Sequence, residues 1–200
     1  NLGSIFGFHV QASDGELGHV HDCYFDDYLR VIRYFIVDTR KWLLGRRVLI
    51  SPASVGTPDM EKRLLPVHLT KTQVRHSPDF NTDLPVSLQQ EELLARHYEW
   101  PQYWDGLPFG AAVGMPLETP TELEGQIPHG DPHLRSAAEV RGYEAWTPTG
   151  KLGVIREIIA DSETWKILAF ILDDGKSTIE IPAEKADEIN WREERVEIEK

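Results

Sequence analysis

One stretch of this chain is written twice. Gly7 to Asp38 superimposes without a gap on Gly142 to Asp173, at a constant offset of 135 residues. Nine positions are identical: Gly7/Gly142, Gly15/Gly150, Leu17/Leu152, Gly18/Gly153, Asp26/Asp161, Ile32/Ile167, Phe35/Phe170, Ile36/Ile171 and Asp38/Asp173. Others keep their type, such as Val20/Ile155 and Asp22/Glu157. Further on, Val48-Leu49-Ile50 matches Ile179-Glu180-Ile181, and the Val67, Leu69, Val74 pattern matches Ile189, Trp191, Val196. A fixed-period repeat decides the architecture before any local reading does. The 200 residues therefore hold two copies of one small unit, each expected to bury its own apolar interior.

Within each copy the pattern is that of strands. Phe8-His9-Val10 runs into the turn Ser13-Asp14-Gly15-Glu16, and the same device recurs as Thr147-Pro148-Thr149-Gly150. Gly18 and Gly153 fall just inside the next strand, where a missing Cβ marks a bulge or a close backbone approach. Val20 to Phe25, a turn at Asp26-Asp27 and Val31 to Asp38 follow, rich in β-branched and aromatic residues. Their counterparts are Val154 to Ile159, Asp161-Ser162 and Trp165 to Leu172. Two more short strands are expected in each copy, near Arg47 to Ile50 with Pro66 to Leu69, and Thr178 to Ile181 with Glu188 to Trp191. A last one holds Val74 or Val196. Short strands with turn signals at this spacing describe a small closed or half-closed barrel.

Read in order, the Gly, the aromatic, the D-G-E-x-G-x-V-x-D stretch, the V-I-R-Y-F-I-V-D-T strand and W-L-x-G-R-x-V-L-I-S-P resemble the PRC-barrel family. That family includes the cytoplasmic domain of the photosynthetic reaction centre H subunit and the C-terminal domain of a ribosome-maturation factor. Copy one carries the pattern over residues 1–76. Copy two carries it over 136–198, with Thr149 in place of the turn aspartate and no W-x-x-G-R stretch after Asp173. The linker segments Pro85 to Glu91 and Tyr98 to Trp104 look like those of bacterial tandem PRC-barrel proteins. The resemblance implies a mainly β fold of two small PRC-type barrels joined by an irregular, partly helical linker. It carries over no catalytic residue, because the family has no shared active site.

The implied division is barrel one at 1–76, a linker at 77–133 and barrel two at 134–200. Charge follows it. The first segment holds ten basic and eight acidic residues, the linker one and ten, and the last ten and fifteen. The linker exceeds the roughly 12–15 residues that a structureless loop reaches in a compact domain. Ser87 with Gln90 has capping-box spacing, which predicts a short helix near 87–98 that Pro101 ends. Trp100, Tyr103 and Trp104 then concentrate aromatic surface; they either cover a barrel face or dock a partner. From Gly106 to His133 no hydrophobic period appears.

Composition narrows the function classes. A net charge of −12 argues against broad contact with a phosphate backbone, so direct nucleic-acid binding is not expected. No apolar run approaches the roughly 18–20 residues of a membrane span, and no leader opens the sequence. The expectation is a cytoplasmic protein, with membrane contact at most peripheral. Cys23 is the single cysteine, which excludes an internal disulfide. No Walker loop, dinucleotide fingerprint, nucleophile elbow or C-x-x-C pair occurs.

Four constellations remain. His19, His21 and Cys23 alternate on one strand and are expected to share a face. Their spacing of roughly 7 Å is too wide for a common metal without a bend. His129, Asp131 and His133 are candidate metal ligands on a turn, though no metal or other cofactor is assigned. Asp26, Asp38, Asp161 and Asp173 recur beside turns and read as turn-forming carboxylates. Arg40, Lys41, Trp42, Arg46 and Arg47 form the one basic cluster, a hairpin tip absent from copy two. The tip and the linker aromatics Trp100, Tyr103 and Trp104 are the candidate interaction residues. The preferred reading is a non-enzymatic protein-interaction or adaptor module. The resemblance suggests a place peripheral to a membrane or to a photosynthetic or electron-transfer assembly. The alternative is a small-ligand or metal-binding protein, in its stronger form an enzyme, that uses the cleft between the barrels with His97, His129, Asp131 and His133. A homodimer is compatible with either.

Overall fold

The computed structural model describes residues 1–39, 42–43, 46–78, 88–100 and 133–199. They form two six-stranded sheets, and the fold is mainly β. In the first unit β1 (His9–Ala12), β2 (Gly15–Asp26), β3 (Val31–Asp38), β4 (Arg47–Ile50) and β5 (Leu64–Pro66) take the order β4-β3-β2-β1-β5. A sixth strand, β6 (Leu134–Ser136), adds to the far half of β2. In the second unit β7 (Glu144–Thr147), β8 (Gly150–Ala160), β9 (Ile167–Asp173), β10 (Thr178–Pro182), β11 (Ala186–Asn190) and β12 (Arg195–Ile198) take the order β10-β9-β8-β7-β12-β11. Four α-helices, α1 (Leu2–Ile5), α2 (Lys71–Arg75), α3 (Leu88–Tyr98) and α4 (Ala137–Val140), and two 3-10 turns, Pro52–Ser54 and Ala183–Lys185, complete the described elements.

The repeat extends further in space than in sequence. Ile50 pairs with Phe35 as Ile181 pairs with Phe170, so beyond the β3–β4 hairpin the offset becomes 131. It holds through the bridges Val55–Val67 and Asp59–Leu64, which recur as Ala186–Ile198 and Asn190–Arg195. Leu65, on β5 beside Val10, is thus the counterpart of Val196, on β12 beside Ala145. This corrects the expected match of Val67, Leu69 and Val74 to Ile189, Trp191 and Val196. Val74 lies in α2, not in a strand. The physical reason is a capping box: the Thr70 hydroxyl accepts from the Gln73 amide while the Gln73 side chain accepts from the Thr70 amide.

The two units meet about a local twofold. Val31 and Lys166, equivalent positions, form an antiparallel bridge. The Ile32 amide donates to the Trp165 carbonyl at 2.9 Å, and the Ile167 amide donates to the Arg30 carbonyl at 2.7 Å. Residue i meeting j while j's counterpart meets i's is the mark of an isologous contact. Arg30 (φ 55°) and Trp165 (φ 57°) both hold the left-handed conformation that turns each strand into this contact. Short helices are exchanged across it as well: α1 packs on β8 and its counterpart α4 packs on β2.

Trp165 meets Phe35 edge-on at 4.8 Å. As a result the buried apolar side chains form one contiguous cluster through both units, rather than the separate interior expected for each copy.

Asp22 fastens this exchange. Its carboxylate accepts from the amides of Cys23 (2.7 Å) and Ala138 (2.9 Å) and from the Ser136 hydroxyl (2.5 Å). Burial raises the Asp22 pKa, against the pull of those three donors. A carboxyl raised in the fold binds its proton more tightly folded than unfolded. The stability it contributes is therefore complete below the unfolded value and lost as pH rises through the folded one. Asp22→Asn, which keeps an acceptor for the two amides, is expected to gain stability relative to the parent as pH rises above about 4. Urea titrations across that range check the sign; a constant difference would assign no titration to Asp22.

The linker helix α3 appears where the sequence predicts it, and its proposed cap Ser87 lies outside the described residues. It ends at Glu99 (φ 57°), with the Trp100 amide donating back to the Ala95 carbonyl at 2.9 Å. α3 sends Glu91 onto β3. From Val31 to Val37 every β3 residue is buried, as expected for a strand covered on both faces. Its counterpart β9 alternates, and Leu168, which replaces Arg33, is exposed.

Candidate functional site

The twofold contact leaves a cleft of about 900 Å³ on one side of the junction. Its walls come from the β2–β3 turn (Asp27 to Arg30), His133 and Arg135 at the entry to β6, Lys166 to Leu168 on β9, and residues between Ala183 and Arg192. The local sequence makes this space. Asp26 accepts from the amides of Tyr28 (2.9 Å) and Leu29 (2.7 Å), which closes the turn and throws Tyr28 outward. Asp161 repeats the device through the amides of Glu163 and Thr164, and Asp173 does so through Gly175. The turn-forming reading therefore holds for Asp26, Asp161 and Asp173.

One wall is polar and largely paired within itself; among the described residues Arg135 Nε and Arg30 Nη1 are buried without a hydrogen-bond partner. Asp27 meets Arg135 Nη2 at 2.8 Å and His133 Nδ1 at 3.2 Å, and its amide donates to the His133 carbonyl at 2.8 Å. Burial raises the Asp27 pKa, with Arg135 and His133 opposing it. Arg30 crosses the floor to the carbonyls of Ala186 and Asp187. Burial lowers its pKa, opposed by Asp27, Asp26 and Asp187. The described lining holds no Ser, Thr or Cys; the hydroxyl it does hold is the phenol of Tyr28, whose ring lies 6.0 Å from that of His133.

The other face is apolar and open. Tyr28 (68% exposed), Leu168 (50%) and Trp191 (56%) all line this cleft, and among the described residues only Met60 and Leu93 are comparably exposed large apolar side chains. Arg192 lies over the Trp191 ring at 5.3 Å. Large apolar side chains gathered in one concavity are a signature of a contact surface; scattered singly they signify nothing.

The residues singled out from the sequence fall elsewhere, with one exception. Trp42 is half-buried: its indole donates to the Leu17 carbonyl, and Lys71 (4.8 Å) and Arg75 (5.8 Å) lie over its ring. Arg46 donates to the carbonyls of Ser77 and Pro78, each at 2.9 Å. Arg47 opens β4 opposite Asp38. Arg40 and Lys41 lie outside the described residues, as do Tyr103, Trp104, His129 and Asp131. Trp100 is buried against the first unit; it stacks on Tyr98 at 4.3 Å and donates to Ser54 Oγ. His97 bonds the Gln73 carbonyl at 2.8 Å, away from the cleft. His133 alone lines it.

The shared face expected for His19, His21 and Cys23 does not form. β2 shifts register between Val20 and Asp22, and this bulge turns Cys23 inward. Cys23 is fully buried, and burial pushes its thiol pKa well up, so it packs as a small apolar side chain.

No described helix is long and apolar enough to cross a membrane. Compared with protein-family models and with the curated proteins, the chain has no match.

Proposed function

We propose that this chain is a tandem PRC-type protein whose task is to bind a protein partner, and that the partner docks in the cleft between the two units. The observation that carries the reading is the convergence of Tyr28, Leu168 and Trp191 on one concavity. Burying a leucine or an aromatic side chain contributes about 1.5–3 kcal/mol, and such anchors dominate interface energetics. The rim alternates Lys166 and Arg192 with Glu184, Asp187 and Glu188, which suits a peptide segment of mixed charge with an aromatic or aliphatic anchor. The basic tip and Trp100 support docking less well, since Trp42, Arg46 and Trp100 are spent on internal contacts. A place at a membrane or electron-transfer assembly rests on the family resemblance alone.

A small ligand in the same cleft is the competing reading, favoured by the Asp27, His133 and Arg135 wall. Those three groups already bond one another, and a ligand would have to compete with that arrangement.

The test is selection of displayed peptides against the intact protein, followed by affinity measurement on Leu168→Ser/Trp191→Ser and on Met60→Ser. Expected are peptides sharing an apolar anchor, at least about tenfold weaker on the cleft variant and unchanged on Met60→Ser. Equal affinity for the cleft variant, or no selected peptide, overturns the reading. Self-association lost in the cleft variant would make a second copy the occupant. A specific thermal shift by a small molecule, abolished in His133→Ala, would favour the competing reading.

A further inference from the structure

The β1–β2 hairpin of the first unit carries a second group of side chains, none of which lines the cleft. His9 and His19 are cross-strand partners with ring centroids 4.4 Å apart. Glu16, on the same hairpin, brings Oε1 to 3.0 Å from His9 Nδ1. One ligand atom from each of the three lies within 4.8 Å of the others. From these positions we infer that His9, Glu16 and His19 form a binding site for a late divalent transition metal, with zinc as its representative.

The geometry is close to what such an ion requires. Metal–ligand bonds of about 2.0–2.2 Å in a tetrahedral site place ligand atoms roughly 3.3–3.6 Å apart. The His9–Glu16 contact is already near that at 3.0 Å, and the other two edges are no longer than 4.8 Å. Two imidazoles and one carboxylate select zinc, copper or nickel over magnesium and calcium, which prefer all-oxygen shells. Both His9 and Glu16 are half-exposed, so an ion can enter from solvent and keep a fourth position for water. The bulge between Val10 and Gln11 shortens the hairpin's register, so that Glu16 faces Gln11 while His9 faces His19. Sequence spacing on a single strand concealed this: two ligands sit on β2, and the third comes from β1.

The repeat supplies a built-in comparison. In the second unit the equivalent residues are Glu144, Lys151 and Val154, and Lys151 Nζ meets Glu144 Oε1 at 2.5 Å. The same hairpin is thus held there by an ion pair that cannot ligate a metal. The framework does not need the histidines, so they can be replaced by their counterparts with the fold retained.

Titration calorimetry with zinc chloride on metal-stripped, tag-free protein tests the site, with cobalt absorption as a readout of coordination. Expected is one zinc per chain, a rise in Tm on saturation and visible cobalt bands of tetrahedral intensity. His19→Val, the second unit's own residue, and Glu16→Gln should each weaken binding at least about tenfold. His21→Ala, an exposed neighbour on the same strand, should leave it unchanged. Should His19→Val fail to fold, Glu16→Gln decides. No saturable binding by the parent, equal binding by both variants, or loss in His21→Ala overturns the assignment.

Discussion

Glu91→Ala is expected to destabilise the protein by about 3–5 kcal/mol, the cost of stranding one member of a buried ion pair. Glu91 is completely buried, yet it lies on the linker helix α3 and not in either sheet. One of its oxygens accepts from Arg33 Nη2 at 2.9 Å and from the Tyr34 hydroxyl at 2.7 Å. Asp26 adds a second carboxylate 3.7 Å from Arg33 Nη1. Without Glu91 the Arg33 guanidinium stays buried under α3 without its 2.9 Å partner, and the Tyr34 hydroxyl loses its acceptor. In the parent, burial first and then the neighbouring Glu91 charge push the Tyr34 hydroxyl pKa well up, so it serves as a donor to Glu91. The second unit shows what the position tolerates without a helix: Leu168 and Ala169 stand where Arg33 and Tyr34 stand. Arg33→Leu/Glu91→Leu is therefore expected to recover most of the loss, since apolar replacement of a whole buried pair is often neutral or better. Denaturant midpoints for parent, single and double variants measure this directly. A Glu91→Ala loss below about 1 kcal/mol would mean that α3 is not docked on β3 through this pair.

How much of this was legible beforehand depends on whether a feature repeats. The strands, the aspartate turns and the close approach at Gly18 and Gly153 were visible because each is written twice. What the repeat does not share was hard to see. Arg30 and Trp165 hold the same left-handed conformation, as do Arg63 and Glu194, but none is a glycine, so no residue type announced the turns. The twofold junction followed from those turns and stayed hidden with them. The β2 bulge that sends Cys23 inward is likewise a change of register, which alternation alone cannot show. At the cleft, His133 could be named from its neighbours in sequence, whereas Leu168 and Trp191 fall inside segments expected as strands and Tyr28 only follows the expected turn. The exposure of Leu168 follows from an absence: α3 covers the outer face of β3, and among the described residues no helix does the same for β9. The α2 capping box at Thr70 and Gln73, by contrast, was readable and outweighed the strand-like spacing around Val74.

Gly18→Ala is expected to be the most damaging single methyl addition to the first unit, at about 3–5 kcal/mol, beyond ordinary overpacking. An added Cβ would lie 1.9 Å from the Asp38 carbonyl oxygen, far inside van der Waals contact, and both atoms belong to backbone that cannot swing away. The residue also holds φ +148°, which L side chains rarely adopt. Gly153 has the same neighbour, the carbonyl of Asp173, but at 2.6 Å, and a smaller shift relieves it. Gly153→Ala should therefore cost less than Gly18→Ala, about 1–3 kcal/mol, although the two glycines occupy equivalent positions. The consequences differ too. Crowding at Gly18 forces β2 away from the end of β3, where Trp42 donates to the Leu17 carbonyl, so the damage should reach the Trp42 environment. Chemical denaturation ranks the two variants, and near-ultraviolet circular dichroism reads the tryptophan packing. If Gly153→Ala proves equal to or worse than Gly18→Ala, strand separation at that point is not set by the glycine–carbonyl approach.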